Sequence, residues 1–267
     1  MESARYDPFA PGRLAVSRRS FEAKDPARDR LFPCDVWRPD GIGALPLIVF
    51  SHSSAPIGRR QSTFLTTHLA SHGYVVAALD HSELVVPELR RPEGEETPVH
   101  RAARVQAWID NRVPDIRFLI DTILSEGSAT VDASRIGIVG HSFGGWTALA
   151  TPERDRRIGS IVALAPGGSS NPPPGIIPAT LTFEWGRDVP TLYIVAEGDT
   201  ALPLAGMHEL FERTRATKRM EVLARADHGH FFDEFEAEPG ACPKEEAHRF
   251  VRGHALAHFD ATLKGLR

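Results

Sequence analysis

The chain has no apolar run of 18 residues anywhere in its 267, so it offers no candidate membrane-spanning helix. Its opening stretch, MESARYDPFAPGRLAVSRRS, lacks the apolar core of an export signal, and the expected location is the cytoplasm. Neither sign of charge forms a long block, and the net charge is -4. That argues against a nucleic-acid groove or an anionic membrane surface as partner and leaves a small molecule. Cysteine is scarce: Cys34 and Cys242 lie far apart and match no metal or redox spacing, so both are expected to be free structural thiols. There is no internal repeat and no heptad pattern. Oligomeric state is not legible.

What is present is a 42% hydrophobic chain, enough for one large α/β domain over 1–267 with a deep core. Residues 13–22 and 31–38 read as strands joined by the turn-rich KDPARDR, an antiparallel edge hairpin within 14–38. PLIVFS at 46–51 is too continuously apolar for a half-exposed strand and reads as a central one. A helix over 61–72 with Gly73 as its stop leads to a strand at 74–79. A surface loop is expected over 85–97, then a helix over 99–125 kinked or broken at Pro114. Further strands fall at 135–140, 160–165, 191–196 and 219–224, and a last helix at 245–264. This alternation calls for a mostly parallel sheet with helices on both faces. The Pro- and Gly-rich stretch 166–178, continuing to 188, is either a cap over a site or a plain surface loop.

The chain is organised around RIGIVGHSFGGWT at 135–147. A short buried strand ending in Gly-x-Ser-x-Gly is a nucleophile elbow: a strained turn that lifts Ser142 between strand and helix. Gly140, Gly144 and Gly145 are the residues whose side chains would collide there. A serine hydroxyl is a poor nucleophile at neutral pH, so it needs a base and an acid to orient that base. In an open parallel sheet such groups sit on loops after the carboxyl ends of strands. Asp199 follows the strand TLYIVA, with Glu197 in reserve, and His228 follows RMEVLA, with His230 two positions on. The order Ser, Asp, His is the one that accompanies this elbow. Two backbone N–H groups are needed for a developing oxyanion, one from Phe143 and one from an early loop, for which Ser54 is the candidate. Ser53, Trp185 and His230 are candidate pocket residues, and Trp146 a weaker one. Asp227 and Asp233 are expected to brace the histidine loop, and His141 to pack in the elbow. His68 and His72 have an i, i+4 spacing, but Leu69 stands where a zinc protease would carry Glu, so no metal is expected.

FSHSSAPIGRRQSTFLTTHLASHGYVVAALDH, GHSFGGWT and HGHFFD together resemble the platelet-activating factor acetylhydrolase and dienelactone hydrolase-like branch of the α/β-hydrolase superfamily, over roughly 14–235. The resemblance implies the α/β-hydrolase fold and a serine carboxylic-ester hydrolase, without a cofactor, acting on short acyl, lipid-type or lactone esters. An acyltransferase or thioesterase with the same triad, and a non-catalytic binding protein of that fold, are the alternatives. The family's histidine is followed by an aromatic and an aspartate at the spacing of Phe231 and Asp233, which favours His228 over His230. There are two departures. His52-Ser53 replaces the usual His-Gly. The acid also does not follow the strand after the elbow, as in animal acetylhydrolases, but the next strand, in VPTLYIVAEGD at 189–199. That placement resembles bacterial dienelactone hydrolase-like, chlorophyllase-like and cutinase-like esterases.

Overall fold

Strand β3 (Leu45–Ser51) has all seven residues buried, because both faces of the sheet at its centre are covered. A computed structural model describes residues 6–40, 43–126 and 130–266. Around β3 lie β1 (Val16–Asp25), β2 (Arg30–Pro39), β4 (Val75–Leu79), β5 (Val131–His141), β6 (Ile158–Leu164), β7 (Thr191–Ala196) and β8 (Lys218–Leu223). They form one sheet in the order β1-β2-β4-β3-β5-β6-β7-β8. From β4 to β8 neighbouring strands run parallel, and β1 and β2 form the antiparallel edge hairpin. All eight expected strands are present; the first starts three residues later than the pattern suggested, at Val16.

Successive side chains point to opposite faces of a strand, so each central strand feeds two cores. Leu47, Val49, Ile136, Ile138, Tyr193 and Val195 pack on one side, and Ile48, Phe50, Val139, Leu192 and Ile194 on the other. The first face is covered by α3 (Pro98–Glu126), α4 (Phe143–Arg154) and α5 (Leu204–Arg213), the second by α1 (Thr63–Ser71) and α6 (Lys244–Phe259). A four-residue α2 (Ser82–Val85) lies beyond β4. Gly73, at φ 88°, turns the chain out of α1 into β4.

Two expectations about the helices need correcting. Of the two readings for Pro114, a kink or a break, the break is excluded: the helix at 98–126 runs through it. A proline there forfeits a backbone bond, at a cost of about 3 kcal/mol. The stripe Trp108, Val113, Ile116, Leu119, Ile120 and Ile123 is buried on both sides of Pro114 and holds the helix to the sheet across it. The 85–97 stretch is also not wholly irregular: α2 ends at Val85, and a 3-10 turn spans Pro87–Leu89. Between β6 and β7 the chain crosses over without a helix. Among the described residues, no helix is long and apolar enough to cross a membrane.

Candidate active site

Ser142 stands between the last residue of β5 and the first of α4 at φ 58°, ψ -116°, a conformation that costs a non-glycine residue roughly 1–3 kcal/mol. The glycines around it are dictated by backbone proximity. A Cβ on Gly140 would lie 2.1 Å from the Gly144 carbonyl oxygen, and one on Gly144 would lie 2.0 Å from that of Ser51. A Cβ on Gly145 would meet Pro166 less severely, 2.8 Å from its Cα. The turn is fixed by the Ser142 N–H donating to Leu164 (2.9 Å) and by its carbonyl accepting from Trp146 and Gly167 (3.0 and 2.9 Å).

The loops after β7 and β8 bring Asp199 and His228 together. His228 Nδ1–H donates to Asp199 Oδ2 at 2.7 Å, while Asp199 Oδ1 accepts from the N–H groups of Ala201 and Leu202 at 2.9 and 2.8 Å. Asp199 therefore opens a turn and orients the imidazole at once. With Nδ1 held, the lone pair of the neutral ring sits on Nε2. The His228 ring packs 4.6 Å from that of His141, the residue before Ser142. His141 is wholly buried, and burial holds its pKa well below the usual imidazole value.

The histidine loop is anchored by the residues that follow it. Asp233 caps α1, accepting from the N–H groups of Thr63 and Phe64 at 2.8 and 2.9 Å and from the Thr63 hydroxyl at 2.6 Å. Phe231 is buried, 5.1 Å from the His141 ring. The spacing of His228, Phe231 and Asp233 thus ties the loop after β8 to the start of α1. His230, by contrast, is not a pocket residue. It is buried, with Nε2–H donating to the Cys242 carbonyl (3.1 Å) and Nδ1 accepting from the Asp227 N–H (3.0 Å), because its ring is needed to close the Asp227 cap on this turn.

The loop after β3 faces the elbow, and its foundation was not anticipated. Arg112, fully buried on α3, donates to the carbonyl oxygens of His52 (2.6 Å) and Ser53 (3.0 Å) and pairs with Glu83 of α2. Its guanidinium also lies 4.3 Å from the centre of the Phe143 ring. In a trans peptide the N–H points opposite to the C=O, so a Ser53 carbonyl turned onto Arg112 aims the Ser54 N–H away from it. Burial pushes the Glu83 carboxyl up and the Arg112 guanidinium down, while their mutual attraction opposes both shifts. Beside this pair, Asp115 accepts from Arg28, Ser82 and His81, and His81 Nε2 meets the Ser51 hydroxyl at 2.9 Å. Gln61 completes the floor: its Oε1 accepts from the Ser53 N–H and its Nε2 donates to His141 Nδ1, both at 2.9 Å. The one signal in the sequence for Arg112 and Asp115 is a pair of charges on the apolar stripe of α3.

Ser54, Ser142, Phe143 and Trp146 line one pocket, walled by Gly167, Gly168, Ala179 and Leu202 and narrowed by Ile176 and Ile177. Phe143 occupies the first position of α4, where the N–H has no intrahelical partner and the helix dipole is positive. The segment 167–179 therefore forms a wall of the site. Two pocket expectations fail. Ser53 does not line this pocket; it is buried, with its N–H and carbonyl consumed by Gln61 and Arg112. Trp185 is core: its indole donates to the Leu149 carbonyl at 3.1 Å and packs on Phe183, and it does not line the pocket, whereas Trp146 does.

The pair His68 and His72 also serves structure, each ring meeting a carbonyl of the N-terminal segment, Pro8 and Ala10. Both cysteines are buried and unpaired, and burial pushes the Cys34 thiol up to about 12. Among the described residues, no group of three or more His, Cys, Asp or Glu is placed to hold a metal.

A strained serine at a strand-to-helix elbow, on a mostly parallel sheet, with an acid–imidazole pair on the loops after later strands, defines an α/β-hydrolase with a serine elbow. The chain belongs to the chlorophyllase family, whose model matches residues 4–185, including the elbow and ending before Asp199. It is 28% identical over 163 residues to a platelet-activating factor acetylhydrolase of Cavia porcellus, covering 45% of this chain and 35% of that protein. It is 28% identical over 150 residues to cutinase est1 of Thermobifida alba, covering 55% and 40%. The chain thus matches only 35–40% of the length of these relatives. A ferulic acid esterase from Streptomyces cinnamoneus superposes with a TM-score of 0.67 at 25% identity, over 96% of this chain and 93% of that one. The resemblance to acetylhydrolases read from the motifs is borne out.

Proposed function

We propose that the protein hydrolyses carboxylic esters through an acyl-enzyme on Ser142. His228 Nε2 takes the hydroxyl proton as Ser142 attacks the ester carbonyl, and Asp199 keeps the ring in the required tautomer. The N–H groups of Phe143 and Ser54 stabilise the tetrahedral oxyanion. The alcohol leaves with the proton from His228, water attacks the acyl-enzyme with His228 again as base, and the carboxylic acid departs. The observation that carries this reading is the 2.7 Å bond between His228 and Asp199 beside a serine held at positive φ. The names of the relatives, an acetylhydrolase, a cutinase and a ferulic acid esterase, support ester hydrolysis as the reaction.

The pocket next to Ser142 measures about 70 Å³, far below the roughly 300–1,000 Å³ of sites that take whole small molecules. A short acyl group fits it. The test is hydrolysis of p-nitrophenyl esters of increasing acyl length by the wild type and by Ser142→Ala. Short esters should be turned over fastest, and the variant should lose up to about a millionfold in kcat. Retained activity in Ser142→Ala, or no labelling of Ser142 by a fluorophosphonate, would overturn the reading.

A further inference from the structure

The pocket beside Ser142 adjoins a much larger groove of about 730 Å³, the two having Arg91, Gly175, Ile176 and Ile177 in common. One wall is the N-terminal half of α3, with Val105 and Ile109; the other is the loop 91–98 and the segment 175–178. A groove of this size accommodates a drug-sized body. It borders the pocket that Ser142 lines, and its size suits the part of an ester that the small pocket cannot hold.

Its charges are unbalanced. Three guanidiniums line it, those of Arg91, Arg101 and Arg104, against one carboxylate, Glu96. Glu96 is already held by Arg104 in a two-pronged pair, at 2.7 and 2.6 Å. The neighbouring Glu93 and Glu95 do not line this groove. Arg91 makes one hydrogen bond among the described residues, to the Ser54 carbonyl at 3.4 Å, and lies over the Trp108 ring. The Arg101 backbone N–H donates to the Thr97 carbonyl at 2.9 Å, and its guanidinium attracts Glu96, whose carboxyl it helps Arg104 to hold down, without an ion-pair contact of its own among the described residues. Two exposed guanidiniums without a carboxylate in ion-pair contact, Arg91 and Arg101, therefore line this groove, and the lone groove carboxylate, Glu96, is shared between Arg104 and Arg101, in a protein whose net charge is -4.

We propose that this groove binds the alcohol portion of the substrate and selects esters whose alcohol is a flat apolar body carrying an anionic group, a carboxylate above all. The acyl group sits in the small pocket, the body lies against Val105, Ile109 and Ile176, and Arg91 and Arg101 meet the anion. A guanidinium suits this task because its forked donors match the two oxygens of a carboxylate. This inference rests on the ester-hydrolase reading and adds the substrate class to it.

The test compares the acetate ester of 4'-hydroxybiphenyl-4-carboxylate with that of the corresponding carboxamide, equal in shape and differing in charge. Each kcat/KM is divided by the ester's rate with hydroxide, to remove differences in intrinsic reactivity. The carboxylate should be preferred by about tenfold, mainly through KM, and the preference should shrink with added salt. Arg101→Glu should abolish it, while the same charge reversal at Arg156, an exposed residue in the turn before β6, should leave it intact. Equal rates for the two esters, or a preference that survives in Arg101→Glu, would overturn the groove assignment and leave the hydrolase reading standing. No hydrolysis of either ester by an enzyme that turns over p-nitrophenyl acetate would likewise overturn the groove assignment alone, and no hydrolysis of all three would overturn both.

Discussion

The floor of the site and the groove that adjoins it are built in opposite ways. Beneath the oxyanion loop and the elbow, Arg112, Gln61, His52, His81 and His141 are buried, and Arg112 and Gln61 hold named backbone groups of the oxyanion loop. Along the groove, Arg91 and Arg101 are exposed and nearly free of partners. A buried charge left without a partner costs several kcal/mol, so the floor has one arrangement. Exposed cations cost almost nothing to leave unpaired, so the groove can hold charge in reserve for a ligand. Under the proposed assignment, turnover falls to the floor and choice of substrate to the groove. Substitutions that act on the wrong parameter would break this division.

The largest effect is expected at the acid. Asp199→Asn keeps the volume but presents an amide to His228 Nδ1, which favours the wrong tautomer. A loss of about 10⁴ in kcat should follow, with KM nearly unchanged, in steady-state kinetics on a short ester. A large change in KM instead would mean that Asp199 shapes the pocket rather than the imidazole.

Acid should undo the floor before the groove. Burial holds His52, His81 and His141 well below the usual imidazole value of about 6.5 and neutral in the fold. The unfolded chain protonates these rings as pH falls through 6.5, the folded protein does not, and so protonation pulls towards the unfolded state. Their contribution is complete above about pH 6.5 and is lost below it, at up to about 1.4 kcal/mol per pH unit for each ring. Urea unfolding midpoints should be flat from pH 8 to 7 and fall steeply from about 6.5 to 5.5. A stability unchanged across that interval would show that the three rings are charged or hydrated in the fold.

Arg112 tests whether the floor works by positioning. Arg112→Lys keeps the charge beside Glu83 but cannot fork to the carbonyls of both His52 and Ser53. The Ser54 N–H then loses its fixed direction, and kcat should drop by about 10- to 100-fold, short of the 10²–10³ for outright loss of an oxyanion donor. KM for a short ester should hardly move. The double change Arg112→Met with Glu83→Gln removes both charges, so it should recover stability relative to Arg112→Met alone without recovering kcat. Recovery of both would make the pair purely structural.

How far the sequence revealed the molecule follows the same division. The eight strands and the serine, acid and histidine were legible because each is a local pattern: an apolar run, Gly-x-Ser-x-Gly, a polar loop after a strand. Arg112, by contrast, lies 59 positions from Ser53 in the chain and meets it only because α3 packs across the sheet beneath that loop. The groove requires 91–98, α3 and 175–178 to come together, and no one of these stretches signals it alone. Pro114 reads as a helix breaker locally, and tertiary burial on both sides overrules it. His230 and His228 sit in the same short turn, and only the cap around Asp227 separates the structural ring from the one on Asp199.

The two tryptophans give the mildest test and the one closest to the boundary between floor and groove. Both indoles donate to a backbone carbonyl and both are nearly buried, so composition and burial treat them alike. Trp146 faces the pocket and ties α4 to Thr180 at 2.9 Å, next to the pocket-wall residue Ala179. Trp185 spends its N–H on Leu149 inside the core. Trp146→Phe frees the wall from the elbow helix, and KM for longer acyl esters should change a few-fold with stability lowered by about 1 kcal/mol. Trp185→Phe leaves the Leu149 carbonyl without its indole donor, and stability should fall by about 1–3 kcal/mol with acyl preference unchanged. Thermal denaturation measured beside an acyl-length profile separates the two. If Trp185→Phe shifts the profile as strongly as Trp146→Phe, the wall and the core move as one unit, and the division between floor and groove ends at this segment.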